Sequence, residues 1–172
     1  MKRNYTIALV AILCALALSL GWLEGLIPQI PFLPPGAKLG FSNIITMFAA
    51  GSLGFPSAML IAFVKGAFAF LTRGVTAGIM SLSGGLLSAA AMYLLMRYAQ
   101  KHLGLIGISV ICALMHNLGQ LAAAILITST NIFAYAPALA VFGIVTGTVN
   151  GIILRAVIPA LEKIKKHFFT LK

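Results

Sequence analysis

The sequence predicts an all-α integral membrane protein, a compact bundle of about six transmembrane helices with both termini in the cytoplasm. Three observations predict it. Apolar residues make up 61% of the 172 positions and charged residues only 8%, whereas an ordinary soluble domain carries roughly 25% charged residues. Lys and Arg number 12 against 2 acids, Glu24 and Glu162, and there is no aspartate. The apolar residues also fall into consecutive runs that approach the roughly 20 residues needed to cross a hydrocarbon core of about 30 Å. So few charges cannot clothe a soluble globule, and such hydrophobicity excludes disorder. The two cysteines, Cys14 and Cys112, lie inside apolar runs and form no disulfide framework or zinc cluster. The net charge of +10 is read as a topology signal, not as a nucleic-acid footprint, because a basic patch needs a soluble fold to carry it.

The whole chain, 1–172, reads as one transmembrane domain. The first span is expected over 5–23, between Lys2-Arg3 and Glu24. Ala15-Leu16-Ala17 faintly resembles a cleavage site, but the apolar run continues past it, so a retained span is expected. Pro28, Pro31, Pro34 and Pro35 then remove backbone donors and forbid a helix. Span two is expected over 39–54, span three over 57–71 after the break at Phe55-Pro56, and span four over 76–96 after Arg73-Gly74. Spans five and six are expected over 103–127 and 133–157, with a basic cytoplasmic tail over 158–172. With the N-terminus inside, nine basic residues (Lys2, Arg3, Arg97, Lys101, Arg155, Lys163, Lys165, Lys166, Lys172) lie inside and two, Lys38 and Arg73, outside. An odd number of spans would put the basic tail outside. The tail lysines can also hold anionic headgroups, at about 1 kcal/mol each near the surface.

Polar residues at membrane depth are costly and face a cavity or another helix. Lys65 lies within span three, where an ammonium costs on the order of 3 kcal/mol. It either snorkels along its stem to an interface or provides a fixed positive charge for an anion. On span five, His116, Asn117 and Gln120 fall at helical spacing on one face. They form either an interhelical hydrogen-bond set, worth about 0.6 kcal/mol per contact, or a cavity wall. Gly143, Gly147 and Gly151 on span six make a small-residue packing seam bordered by Thr146 and Asn150. Ser81, Gly84, Gly85 and Ser88 on span four read the same way. Ala11 and Ala15 form a small-xxx-small pair on span one, suited to internal packing or to a partner. The proline-rich loop beside Lys38, Asn43 and Arg73 is either a plain connector or the rim of an outward-facing pocket.

Pro35-Gly36-Ala37-Lys38-Leu39-Gly40 followed by Ser42-Asn43-Ile44 resembles the P-G-x-K-L-G-x-x-N-I stretch of the Gx transporter family. Ser83-Gly84-Gly85-Leu86-Leu87-Ser88 and His116-Asn117-Leu118-Gly119-Gln120 resemble its other two marks. Its members are often labelled heptaprenyl diphosphate synthase component I, and the resemblance covers about Tyr5 to Val157. The family is also similar to the S components of energy-coupling-factor transporters. That resemblance implies an S-component-like bundle in the plasma membrane that captures a small solute from outside. It would work with a membrane coupling subunit and ATPase subunits docked through an A-x-x-x-A motif, matched here by Ala11 and Ala15.

The expected function is therefore that of a substrate-binding subunit of such an importer. It would bind a small, anionic solute through Lys38, Asn43, Lys65, Arg73, His116, Asn117, Gln120 and Asn150, without metal, cofactor or nucleic acid. No G-x-x-x-x-G-K-[ST] pattern occurs, so ATP is expected to be hydrolysed by partners. The alternatives are a non-catalytic membrane accessory of heptaprenyl or polyprenyl diphosphate synthesis and a membrane anchor for a redox complex. Catalysis of prenyl transfer is not expected, because Mg²⁺ on a diphosphate is held by carboxylates and this chain has no aspartate.

Overall fold

Among the described residues six α-helices form where the apolar runs lie, but their lengths are unequal. The computed structural model describes residues 2–26, 40–128 and 133–170, with side chains described for 4–26, 40–128 and 133–167. The prolines of the first loop, Lys38 and Lys172 lie outside the described residues. In order, the helices are α1 (Lys2–Gly25), α2 (Ser42–Ser52), α3 (Phe55–Arg73), α4 (Val75–Tyr98), α5 (Gln100–Thr128) and α6 (Ala136–Thr170), with a 3₁₀ turn at Phe133–Tyr135. Five of them are long and apolar enough to cross a membrane. The outer surface matches that solvent: Leu71 and Leu126 are each 82% exposed, and so broad an apolar exterior suits hydrocarbon rather than water.

Span two departs from expectation. The apolar run over 39–54 is long enough to suggest a crossing, yet α2 has 11 residues, about 16 Å of helix and about half a hydrocarbon core. The run is cut short at Gly40, whose φ of 81° is outside the helical region. Residues Ile44 to Ala50 of α2 are all buried, so this half-length helix is enclosed by α1, α3, α4 and α6. The last helix departs in the opposite sense. A stop near Val157 is expected ahead of Pro159, but α6 continues through Pro159 to Thr170. Pro159 removes one backbone donor. The extension is held by tertiary contacts instead: Leu161 is buried in the core, and Glu162 accepts a hydrogen bond from Ser52 at 2.7 Å.

Very short connectors make successive helices antiparallel. Gly74 alone joins α3 to α4 with φ 89° and ψ 178°, and Gly54 precedes α3 with φ 93° and ψ −179°. That backbone region is essentially restricted to glycine. A Cβ at either position would meet nothing within 4 Å, so the requirement is conformational, not steric. Pro56 follows in the first turn of α3, where its missing donor costs nothing. Helix α5 bends at Gly104, which leaves its straight part starting close to the expected Leu103. Arg97, Lys101, Arg155 and the α6 lysines collect at one end of the bundle, called here the basic end; the ends of α1 and α3 lie at the other.

The seams expected on α4 and α6 pack as small-residue contacts. A Cβ on Gly147 would lie 2.6 Å from Val110 Cα, and one on Gly151 2.7 Å from Ile106 Cα, so α6 rests directly on the α5 backbone. A Cβ on Gly119 of α5 would lie 2.8 Å from Gly84 Cα of α4, and Ser83 Oγ donates to the Gly119 carbonyl at 3.0 Å across the same crossing. Such close approach supplies the dispersion contacts on which helix association depends when lipid replaces water. Ser81 departs from this pattern and faces a cavity instead. Replacing Gly147 with valine is expected to destabilise the bundle by about 1–3 kcal/mol through overpacking. Thermal unfolding of the purified variant in detergent measures this, and an unchanged midpoint contradicts the packing account.

Candidate functional site

Because α2 begins part-way into the bundle, the space above its first turn is left open. The register is set by side chains. Lys65, in the middle of α3, donates to Asn43 Oδ1 at 2.7 Å and approaches Thr46 Oγ1 at 3.5 Å. Gly21 of α1 lies level with Ser42, since a Cβ there would be 3.9 Å from Ser42 Cβ. Above this level lies a cavity of about 650 Å³, within the size range of small-molecule sites. It reaches the surface at exposed Trp22 and Leu26, at the end opposite the basic one.

Five helices build it. Helix α1 contributes Leu18, Trp22 and Glu24; the start of α2 contributes Gly40, Ser42 and Asn43 as the floor. Lys65, Phe68, Thr72 and Arg73 come from α3, and the facing wall is Thr76, Met80 and Ser81 of α4 with His116 and Gln120 of α5. Arg73 stands two helical turns above Lys65, about 12 Å along the axis. Gln120 is 9% exposed. His116 Nδ1 is buried with no hydrogen-bond partner. A polar side chain in that state costs free energy unless something satisfies it. Among the described residues no group of three His, Cys, Asp or Glu gathers here or elsewhere.

The expected binding residues divide into three groups. Asn43, Lys65, Arg73, His116 and Gln120 come together around this cavity. Asn117 and Asn150 do not line it. Asn117 Nδ2 donates to the Leu139 carbonyl of α6 at 2.9 Å, and Asn150 borders a separate space of about 10 Å³ with Asn43, Met47 and Ser109. Lys38 lies outside the described residues. Ala11 and Ala15 are on the exposed face of α1, opposite buried Leu9, Leu13 and Ala17.

Glu24 bounds the first expected span from outside, but the structure places it within the last turn of α1, only 6% exposed. Its carboxylate accepts a hydrogen bond from the Phe41 backbone N–H, just ahead of α2. A carboxylate beside a helix N-terminus also interacts favourably with the helix dipole. Trp22, Phe68 and Met80, the apolar part of the lining, carry no sequence signal that separates them from lipid-facing residues.

A family model described as heptaprenyl diphosphate synthase component I matches residues 13–157. The chain belongs to that family. No curated protein and no solved structure matches the chain significantly. The region shared with the heptaprenyl diphosphate synthase component I family takes in every cavity-lining residue and stops before the basic extension of α6. Lys65→Ala is expected to weaken binding of an anionic ligand by about 10- to 100-fold, the equivalent of one charge-assisted hydrogen bond. Asn117→Ala should leave that affinity unchanged and cost up to about 1.7 kcal/mol of stability. Titration calorimetry with parallel thermal unfolding separates the two effects.

Proposed function

We propose that this membrane protein of the heptaprenyl diphosphate synthase component I family is the solute-capturing subunit of an energy-coupling-factor-type importer. In this reading it sits in the plasma membrane with the basic end in the cytoplasm and the cavity facing outside. The observation that carries the reading is the cavity itself. It is a solute-sized space at the end opposite the basic residues, and Lys65, Arg73, Asn43, His116 and Gln120 converge on it from three helices. A bundle serving only as an anchor has no need for such a space. Lys65 and Arg73 favour an anionic solute, and the neutral polar groups supply hydrogen bonds. Energy comes from a coupling subunit and ATPases, and Ala11 and Ala15 on the exposed face of α1 offer the close-packing surface for docking.

The family's description favours a second reading, an accessory of prenyl diphosphate synthesis. The chain's two acids speak against a catalytic role in it. Glu24 is held by Phe41 in the cavity wall, while Glu162 is engaged with Ser52 and, at 3.6 Å, Lys165 towards the basic end. They cannot share one Mg²⁺.

Mass spectrometry of the purified protein identifies the co-purifying solute, and vesicles containing the protein with its coupling partners should then import that solute in labelled form. Import should be lost on Lys65→Ala through binding and on Ala11→Trp through docking, with binding retained in the latter. Stimulation of prenyl transfer by this chain, in the presence of a catalytic partner and without any import, would replace the first reading by the second.

A further inference from the structure

The cavity holds charges of both signs, and their sum has a chemical consequence. Among the described residues its lining carries two cations, Lys65 and Arg73, and one anion, Glu24, which leaves these residues a single net positive charge. Glu24 is not incidental to this count. It is buried, and its carboxylate is fixed in place by the Phe41 N–H. It also lies within electrostatic reach of Arg73. The only other side-chain acid, Glu162, is engaged with Ser52 and Lys165 elsewhere. Glu24 is therefore the one acidic side chain that opposes Lys65 and Arg73 in the site.

The walls are also arranged asymmetrically. The carboxylate stands on α1, while the neutral hydrogen-bonding groups Ser81, His116 and Gln120 stand on the facing α4–α5 wall, with Lys65 on α3 between them. An anionic group seated by Lys65, Asn43 and Gln120 gains a cation and neutral donors. A second negative charge on the same molecule meets the buried carboxylate of Glu24 in the wall, and like charges repel. Trp22, Phe68 and Met80 offer apolar area to an uncharged body.

We propose that Glu24 is a charge-selecting residue, which restricts this cavity to compact solutes bearing a single negative charge on an apolar body and disfavours polyanions such as diphosphates. The proposal rests on the reading of the cavity as a solute seat. It deepens that reading, because the ligand class it names is the opposite of what a prenyl diphosphate would require.

Trp22 is the only tryptophan in the chain and lines the cavity, so its fluorescence reports occupancy. The full chain in lipid nanodiscs, in Mg²⁺-free buffer, is titrated with benzoate, its neutral analogue benzamide, and pyrophosphate. Benzoate is expected to saturate the signal, with benzamide and pyrophosphate at least about tenfold weaker. Glu24→Gln keeps an oxygen acceptor for the Phe41 N–H while removing the charge. In that variant pyrophosphate should gain about tenfold or more, benzoate distinctly less, and benzamide nothing. Arg73→Gln, which removes one of the two cations among the described lining residues, should narrow the preference for benzoate over benzamide by about tenfold, and it serves independently if the Glu24 variant does not fold. Tighter binding of pyrophosphate than benzoate by the wild type, equal gains for both anions in Glu24→Gln, or no response to any of the three probes overturns the proposal. Import is tested separately: a monoanion that binds with this selectivity but is not imported by vesicles containing the coupling partners sinks the importer reading and leaves the selector standing.

Discussion

The anchoring of α2 at half depth is the constraint from which the rest of the structure follows. Two side chains from neighbouring helices hold its beginning. Glu24 at the end of α1 accepts the Phe41 N–H, and Lys65 in the middle of α3 donates to Asn43. Both contacts place charge on the first turn of an otherwise apolar helix. A helix that started higher would cross more of the membrane and fill the space above; this one leaves that space to the cavity. The burial of α2 on every side, from Ile44 to Ala50, keeps its register fixed, so the floor of the cavity is as rigid as the core beneath it.

The facing wall owes its rigidity to a different device. Helices α3 to α6 pack each against the next, with glycines at the crossings. Gly84 and Gly119 bring α4 and α5 close enough for Ser83 to bond across the contact, and His116 and Gln120 flank that crossing on α5. Their side chains are thereby aimed into the cavity by backbone packing and not by a loop. A site supported in this way changes its geometry little as solvent enters or leaves, which suits binding more than it suits a reaction cycle with large rearrangements. Helix α1 is attached to this layer mainly through α2 and α3, and its exposed small-residue face is left open.

Much of this architecture was legible in the sequence because composition and run length are local properties. The helical class, the break at Gly74 and the glycine seam on α6 all follow from residue type and spacing, whereas the break expected at Phe55-Pro56 falls one residue earlier, at Gly54, with Pro56 inside the first turn of α3. The errors arose where a distant contact decides the outcome. The run at 39–54 has the hydrophobicity of a span, but its helical portion begins only where Glu24 and Lys65 can hold it. Pro159 signals a stop, yet Leu161 and Glu162 find partners in the core and on α2, and the helix continues. In the site, His116 and Gln120 share a face at i and i+4, while Asn117, a further 100° around the helix, turns to the Leu139 carbonyl on α6. Glu24 marks the end of the first apolar run, yet it belongs to the last turn of α1 and is buried. No periodicity could reveal a partner 17 residues away.

The scarcity of acids gives each of them unusual weight. In a chain with 12 basic residues and 2 acidic ones, a buried carboxylate alters the potential of its surroundings far more than it would on a soluble surface, where opposite charges are abundant and water screens them. Glu162 is held near the basic end, and Glu24 lines the same cavity as Lys65 and Arg73. A phosphate-rich ligand would be served better by a lining with no acid at all. Retaining one there, buried and hydrogen-bonded, makes sense if the site must hold a negative charge firmly but only one of them. The same carboxylate that sets where α2 begins thus also sets the charge of the space above it. If Glu24 selects charge as proposed, fold and selectivity are joined in a single residue, and a change of ligand charge at this site would require the start of α2 to be anchored in some other way.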